Sequence, residues 1–140
     1  MSYTRVNIFI EHLNFLQGKI EPPNSEDLIN EISNLINVSQ LDTSTNFKLI
    51  LKKLNKQQYY EYTEWIKRKY NLETINLNSD LEQSIINRYK TLFESNKEII
   101  RKLSYNFIAY KLLQEVNINI NMKFSSNKFK YYEELWNKII

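Results

Sequence analysis

Asn96-Lys-Glu-Ile-Ile-Arg-Lys-Leu-Ser-Tyr-Asn-Phe-Ile-Ala-Tyr-Lys-Leu-Leu-Gln-Glu115 is the stretch on which the fold turns. Ile99, Ile100, Leu103, Phe107, Tyr110 and Leu113 recur at three- and four-residue steps, which puts them on one side of an α-helix. The spacing predicts one helix over 96–115, the most apolar in the chain and therefore the centre of the core. Towards the C-terminus, Val116-Asn-Ile-Asn-Ile-Asn-Met-Lys-Phe124 alternates with a period of two, the repeat of a strand. No second strong strand is available to pair with it, so an extended loop pinned by its apolar side is expected. Tyr131, Leu135, Trp136 and Ile139 then mark a last helix, capped near Ser126 or Asn127.

The same reading works back towards the N-terminus. Ser79-Asp-Leu-Glu82 has the form of a capping box and opens a helix carrying Leu81, Ile85, Tyr89, Leu92 and Phe93. Residues 71–78 read as an extended connector. A helix after Asn55 carries Tyr59, Tyr62, Trp65, Ile66 and Tyr70, and Asp42-Thr-Ser-Thr45 precedes another with Phe47, Ile50, Leu51 and Leu54. Asn24 or Ser25 caps a helix with Glu26 and Asp27 in its positive first turn and Leu28, Ile32, Leu35 and Ile36 inward. The first helix runs over 3–17 through Val6, Phe9, Ile10, Leu13 and Leu16, with Gly18 at its C-terminal cap and Pro22-Pro23 forcing an extended exit. The expectation is an all-α protein: a single compact domain over 1–140 with six to seven helices and a short extended segment near 116–124.

Composition agrees. The 140 residues are 42% hydrophobic and 25% charged, a globular balance with enough chain for a real core. One glycine and two prolines disfavour hairpin-rich barrels and sandwiches. No cysteine is present, which removes disulfides and thiolate zinc sites from consideration. The longest apolar run, Phe107 to Tyr110, is far short of the roughly 20 residues that span a bilayer, so no membrane partner is expected, and the first residues lack the apolar core of a signal peptide.

Catalytic chemistry is hard to assemble from these residues. His12 is the only histidine, it lies between apolar helix positions, and a reaction centre needs several convergent groups. No serine sits in a glycine-flanked elbow, and one glycine cannot build a phosphate-cradling loop. Glu61/Glu64 and Glu94/Glu98 are the helix-spaced acidic pairs, better explained as solvated faces. Neither an enzyme activity nor a cofactor or metal site is expected.

The charge is unevenly spread. Residues 47–70 hold seven basic and two acidic side chains, against two and six in residues 1–46 and ten and eight in residues 71–140. Lys48, Lys52 and Lys56 lie near one helix face with Lys53 beside them, and Lys67, Arg68 and Lys69 follow one helix later. Tyr59, Tyr60, Tyr62 and Trp65 stand between the two groups. Cations release counterions from phosphates and aromatic rings stack on bases, which is one reading. The plainer one makes the aromatics core and the lysines solvent cover. For the aromatics the plainer reading fits better; for the lysines the two are evenly matched, and such a patch also suits an acidic protein surface.

Several segments, in order along the chain, resemble one family, the poxvirus-type late gene transcription factor 3 proteins. Tyr3, Arg5, the apolar helix after them and Gln17 with Lys19 are similar to its opening pattern. Ile50-Leu-Lys-Lys-Leu54 with Tyr59-Tyr60-Glu61, then Leu81-Glu82 and Phe93, then Leu103-Ser104-Tyr105 with Tyr110-Lys111, and last Phe124, Ser126, Lys128 and Leu135-Trp136-Asn-Lys138-Ile139 follow it in register. The resemblance implies a non-enzymatic factor for viral late transcription, working with the viral RNA polymerase or other late factors, with DNA as a further partner, in the cytoplasmic factory or nucleus of an infected cell or in the virion. Zinc binding, a property of longer family members, is not carried over to a chain without cysteine. The family's proline-rich connector is absent, and Tyr62 stands where a histidine commonly follows the Tyr-Tyr-Glu run. Among the matched residues, Arg5, Gln17, Lys19, Lys52, Lys53, Tyr59, Tyr60, Tyr105 and Lys111 are those that burial explains least, and they join Lys48, Lys56, Lys67, Arg68 and Lys69 as the expected nucleic-acid or partner contacts. Two rival readings are a purely protein-binding helical adaptor and a Bcl-2-like viral bundle built round the central apolar helix.

Overall fold

The computed structural model describes residues 3–139, with side chains from residue 4. Those residues form eight α-helices, α1 (Tyr3–Leu16), α2 (Ser25–Leu35), α3 (Phe47–Lys53), α4 (Thr63–Lys69), α5 (Ser79–Ser95), α6 (Lys97–Lys102), α7 (Tyr105–Glu115) and α8 (Ser126–Trp136), with 3-10 helices at Val38–Gln40 and Gln57–Tyr62 and no strand. The all-α expectation holds. The count exceeds it because the long helix over 96–115 is two helices. Ser104 is extended and its hydroxyl accepts from the Phe107 amide, so it caps α7 and stops α6 at Lys102. The apolar spacing runs through this break because Leu103 and Phe107 are both buried, as they would be in one continuous helix.

The caps fall on asparagine more than on serine. Asn78, not Ser79, caps α5, its side chain accepting from Leu81 N, and Asn46 caps α3 through Leu49 N. The expected Asp42–Thr45 cluster instead forms a turn in which the Asp42 carboxylate accepts from Ser44 N. The Ser44 hydroxyl, which also donates to this carboxylate, and then the Ser44 amide hold the carboxyl below its usual pKa. Helix ends show the same substitution. At the end of α1, Gly18 (φ 67°) donates to Phe15 O and Lys19 to Asn14 O, the paired bonds of a Schellman motif. Asn55, Asn71 and Asn117, with φ between 58° and 64°, make the same pair of bonds after α3, α4 and α7. Asparagine tolerates the left-handed region better than other L-residues, so a chain with one glycine still closes four helices this way.

The chain packs as two compact units. One combines Met1–Leu13 with Leu77–Ile140, and the other is Asn14–Asn76. In the first, Phe9 stacks on Tyr89 at 4.3 Å with the rings almost parallel, and Phe93, Ile100, Phe107, Ile108 and Leu112 are buried with them. Phe107 is the hub of its distal half: the rings of Tyr110, Phe124, Phe129, Tyr132 and Trp136 all lie within 6.2 Å of it. Residues 116–124 are irregular, as expected, and keep their alternation. Val116, Ile118, Ile120, Met122 and Phe124 are half-buried while the residues between them are exposed. In the second unit, Leu28, Ile32, Phe47, Leu51, Tyr59, Trp65 and Ile66 form the core.

The first unit contains a misfit. The Tyr89 hydroxyl and Arg5 Nε are buried without a hydrogen-bond partner. Burial raises the Tyr89 pKa, with the nearby Arg5 guanidinium partly opposing the shift. Removing an unpartnered buried hydroxyl while keeping the ring should not cost stability. Tyr89→Phe is expected to leave urea-unfolding stability equal or raise it by up to about 1 kcal/mol; a clear loss would show that the hydroxyl is satisfied in solution.

Candidate nucleic-acid interface

The basic stretch lies wholly within the Asn14–Asn76 unit. α3 is short because Asn46 opens it and Asn55 closes it, and within it Phe47 and Leu51 face the core. That leaves Lys48, Lys52 and Lys53 on the exposed side, and no carboxylate pairs with any of them among the described residues. Lys48 Nζ stands 5.9 Å from the Tyr60 ring centre, a weak cation–π contact. Lys52 and Lys53 occupy the last turn of α3 and Lys67, Arg68 and Lys69 the last turn of α4. Cations there offset the negative end of the helix dipole by about 0.3–1 kcal/mol each. The effect falls off within one turn, so it accounts for a basic residue at each end better than for the whole run.

Ion pairing thins the patch. Lys56 Nζ lies 3.5 Å from Glu31 and Lys67 Nζ 2.9 Å from Glu64, so these two charges are largely answered within the protein. Tyr59 is buried, and its hydroxyl donates to Pro23 O at 3.3 Å. This ring belongs to the core, and the expectation that it contacts a partner is corrected accordingly. Trp65 is likewise core, whereas Tyr60 keeps part of its ring at the surface.

A second group of expected residues is drawn together from distant sequence. Gly18, Lys19, Trp65, Arg68 and Lys69 line an open basin of about 410 Å³. Its geometry depends on Gly18. A Cβ there would lie 2.7 Å from the Glu64 backbone oxygen and 2.8 Å from Arg68 Cδ, so only glycine lets the 17–19 turn rest against α4. Arg68 Nη1 donates to Gln17 O at 3.2 Å, and Lys69 Nζ sits 5.2 Å from the Trp65 ring centre. Gln17 itself is 1% exposed, the one buried polar side chain among the described residues, so it shapes the turn from inside and cannot touch a partner. The sequence marks Gly18 as a helix cap and Trp65 as a core or stacking ring, but not their meeting with Lys19, Arg68 and Lys69. The hint was Trp65 standing three and four residues before Arg68 and Lys69, on one helix face.

The remaining expected residues lie in the other unit and are engaged there. The Arg5 guanidinium is 5.0 Å from the Tyr105 ring and 5.6 Å from the Phe93 ring, and His12 stacks on Tyr105 at 5.1 Å while bonding Asn106. Lys111 pairs with Glu133 and lies over Phe107. These contacts give Arg5, Tyr105 and Lys111 internal roles, joining α1 to α7 and α7 to α8. No group of three or more metal-ligating side chains occurs among the described residues, and no helix there is long and apolar enough to cross a membrane.

Comparison with known proteins gives these features a context. The chain is 30% identical over 122 residues to a protein of Paramecium bursaria Chlorella virus 1 named "Putative transcription factor A494R". That match takes in 79% of this chain and 34% of the relative, so the chain spans about a third of the relative's length. No solved structure matches the chain significantly. The family described as Poxvirus Late Transcription Factor VLTF3 like matches residues 1–140, the whole of the sequence, and with the ordered motifs from Arg5 to Trp136 now placed on a helical fold, the chain belongs to that family.

Proposed function

We propose that this chain is a non-enzymatic factor for viral late-gene transcription that engages duplex DNA through the exposed face of α3, acting with the viral RNA polymerase or other late factors in the factory or nucleus of the infected cell. The observation that carries the DNA reading is the set of three unpaired, exposed lysines, Lys48, Lys52 and Lys53, beside the half-exposed Tyr60. Such a set neutralises backbone phosphates without reading bases, and it releases about 0.9 counterion per contact on B-DNA.

Fluorescence anisotropy with a labelled duplex over a salt series tests this. Lys52→Glu/Lys53→Glu replaces two attractions with two repulsions, and affinity at low salt is expected to fall by tenfold or more with a shallower salt slope. No binding at low salt, or binding indifferent to the double change, would defeat the reading.

A specific observation supports a second reading. Leu49 is 49% exposed among these lysines, and an apolar side chain ringed by cations suits an acidic, amphipathic protein segment. Pull-down of polymerase subunits that survives nuclease treatment, and that Leu49→Asp abolishes, would favour the adaptor. The Bcl-2-like reading depended on one long central helix, which Ser104 interrupts.

A further inference from the structure

We propose that a second copy of this chain docks on the lysine face of α3 through the outer face of its own α2. The surface is the one that carries the DNA reading, and the pairing adds a second occupant to it.

The Asn14–Asn76 unit has its charges sorted along the chain. Residues 20–46 hold five acidic side chains and no basic one, whereas residues 47–70 hold seven basic and two acidic ones. Within one copy the two sides hardly meet. Among the described residues the single ion pair between them is Lys56 with Glu31, at 3.5 Å. Asp27 on one side and Lys48, Lys52 and Lys53 on the other have no ion-pair partner among the described residues. Opposite charges left unanswered on separate helices of one molecule attract across copies.

Shape supplies the rest. Asp27, Asn30, Glu31 and Asn34 follow at helical steps along α2 and, with Lys56 and Tyr59, line an open groove of about 450 Å³. Two carboxylates and two side-chain amides offer the acceptors that the three N–H donors of an ammonium need. The groove already seats one such group, Lys56 on Glu31, and Asp27 is left for another. Leu35, one turn beyond Glu31, and Val38 after it are about as exposed as Leu49 is among the α3 lysines. An acidic stripe that ends in apolar side chains therefore matches lysines that surround one. Ion pairs would set the orientation, and Leu49 would be buried against Leu35 and Val38. A polyanion answers the lysines alone and leaves Leu49 in water.

Sedimentation velocity of the full chain tests the pairing. Concentration-dependent association is expected at low salt and should vanish near about 1 M salt, where charges are screened beyond roughly 3 Å. Lys52→Glu/Lys53→Glu reverses one side and Asp27→Lys/Asn34→Lys the other, the latter sparing the Lys56–Glu31 pair. Each alone should weaken association by at least about tenfold while circular dichroism stays native. Mixed one to one, the two variants should associate again, because both pairings between them are then attractive. Asp27→Asn, a change too small to disturb α2, should weaken association severalfold. A wild type that stays monomeric at low salt, association indifferent to these changes, or a mixture that fails to restore it would overturn the pairing.

DNA and the second copy claim the same lysines, so each should weaken the other's binding by the same factor. A duplex with room for one copy is expected to dissolve the assembly, and copies that stay associated on it would overturn the shared surface. The two readings fail separately. A chain that binds DNA but remains monomeric at low salt removes the pairing and leaves the DNA reading standing. Association rescued by the charge exchange, without DNA affinity, does the reverse.

Discussion

Phe107→Ala should lower unfolding stability by about 3–5 kcal/mol, the range for emptying a buried aromatic site. Phe107 is 0% exposed and touches rings from three successive pieces of chain: Tyr110 in α7, Phe124 at the end of the irregular segment, and Phe129, Tyr132 and Trp136 in α8. The surrounding rings are themselves half-buried, with few neighbours behind them to push them into the hole. Collapse is therefore poor and the cost should sit high in the range. The loss should also be uneven. Hydrogen exchange in α8 and in residues 118–125 is expected to speed up well before that in α5, because Phe107 is what these pieces share. Thermal melting should fall by on the order of 10 °C or more. Phe107→Leu, which keeps most of the volume, should lose less than half as much. A cost under about 1 kcal/mol for the alanine variant would mean that the aromatic cluster is not a cohesive core.

Gly18→Ala should be the most damaging single-methyl change in the chain. Two costs add. The backbone sits at φ 67°, where an L-residue pays about 1–2 kcal/mol. The new Cβ would then lie 2.7 Å from a carbonyl oxygen inside α4, which cannot move without breaking a helix bond, and overpacking of this kind costs about 1–3 kcal/mol. Together the expected loss is roughly 2–5 kcal/mol, read by urea unfolding. Gly18→Asn distinguishes the two costs. Asparagine relieves the backbone term, as Asn55, Asn71 and Asn117 do at equivalent helix ends, but keeps the Cβ. It should fall between wild type and alanine, and an asparagine variant as stable as wild type would show that the close approach to α4 relaxes freely.

Much of this architecture is legible in the residues, and the illegible parts have physical causes. Apolar periodicity locates the helices because burial is what orders them, and the alternation from Val116 to Phe124 survives as alternating exposure without any partner strand. The break at Ser104 is hidden because the residues on either side keep facing the core. Caps shift by one position where two capping residues adjoin, as with Asn78 and Ser79, and local propensity cannot choose between them. At the site, the linear clusters are visible but their pairing is not. That Lys56 and Lys67 are spent on Glu31 and Glu64 while Lys48, Lys52 and Lys53 are not depends on which carboxylates the fold brings near. The basin depends on a contact between Gln17 and Arg68, 51 residues apart, and no local pattern encodes that separation.

The segment after α7 carries a liability. Val116-Asn-Ile-Asn-Ile-Asn-Met122 has no charge, no proline and no glycine, and β-branched residues recur at every second position up to Ile120, which is the composition of a cross-β spine. In the native protein its apolar side is tucked against the fold and Phe124 is clasped by Phe107, Tyr110 and Phe129. Glu115 before it and Lys123 after it are the charged residues that guard its two ends. The docking of α8 thus has a bearing beyond stability: while the aromatic cluster holds, the segment has one face to offer, and when it opens the chain exposes an uncapped template for intermolecular strand pairing. Solubility at the high concentrations of an expression host is then governed by how rarely that final helix lifts away.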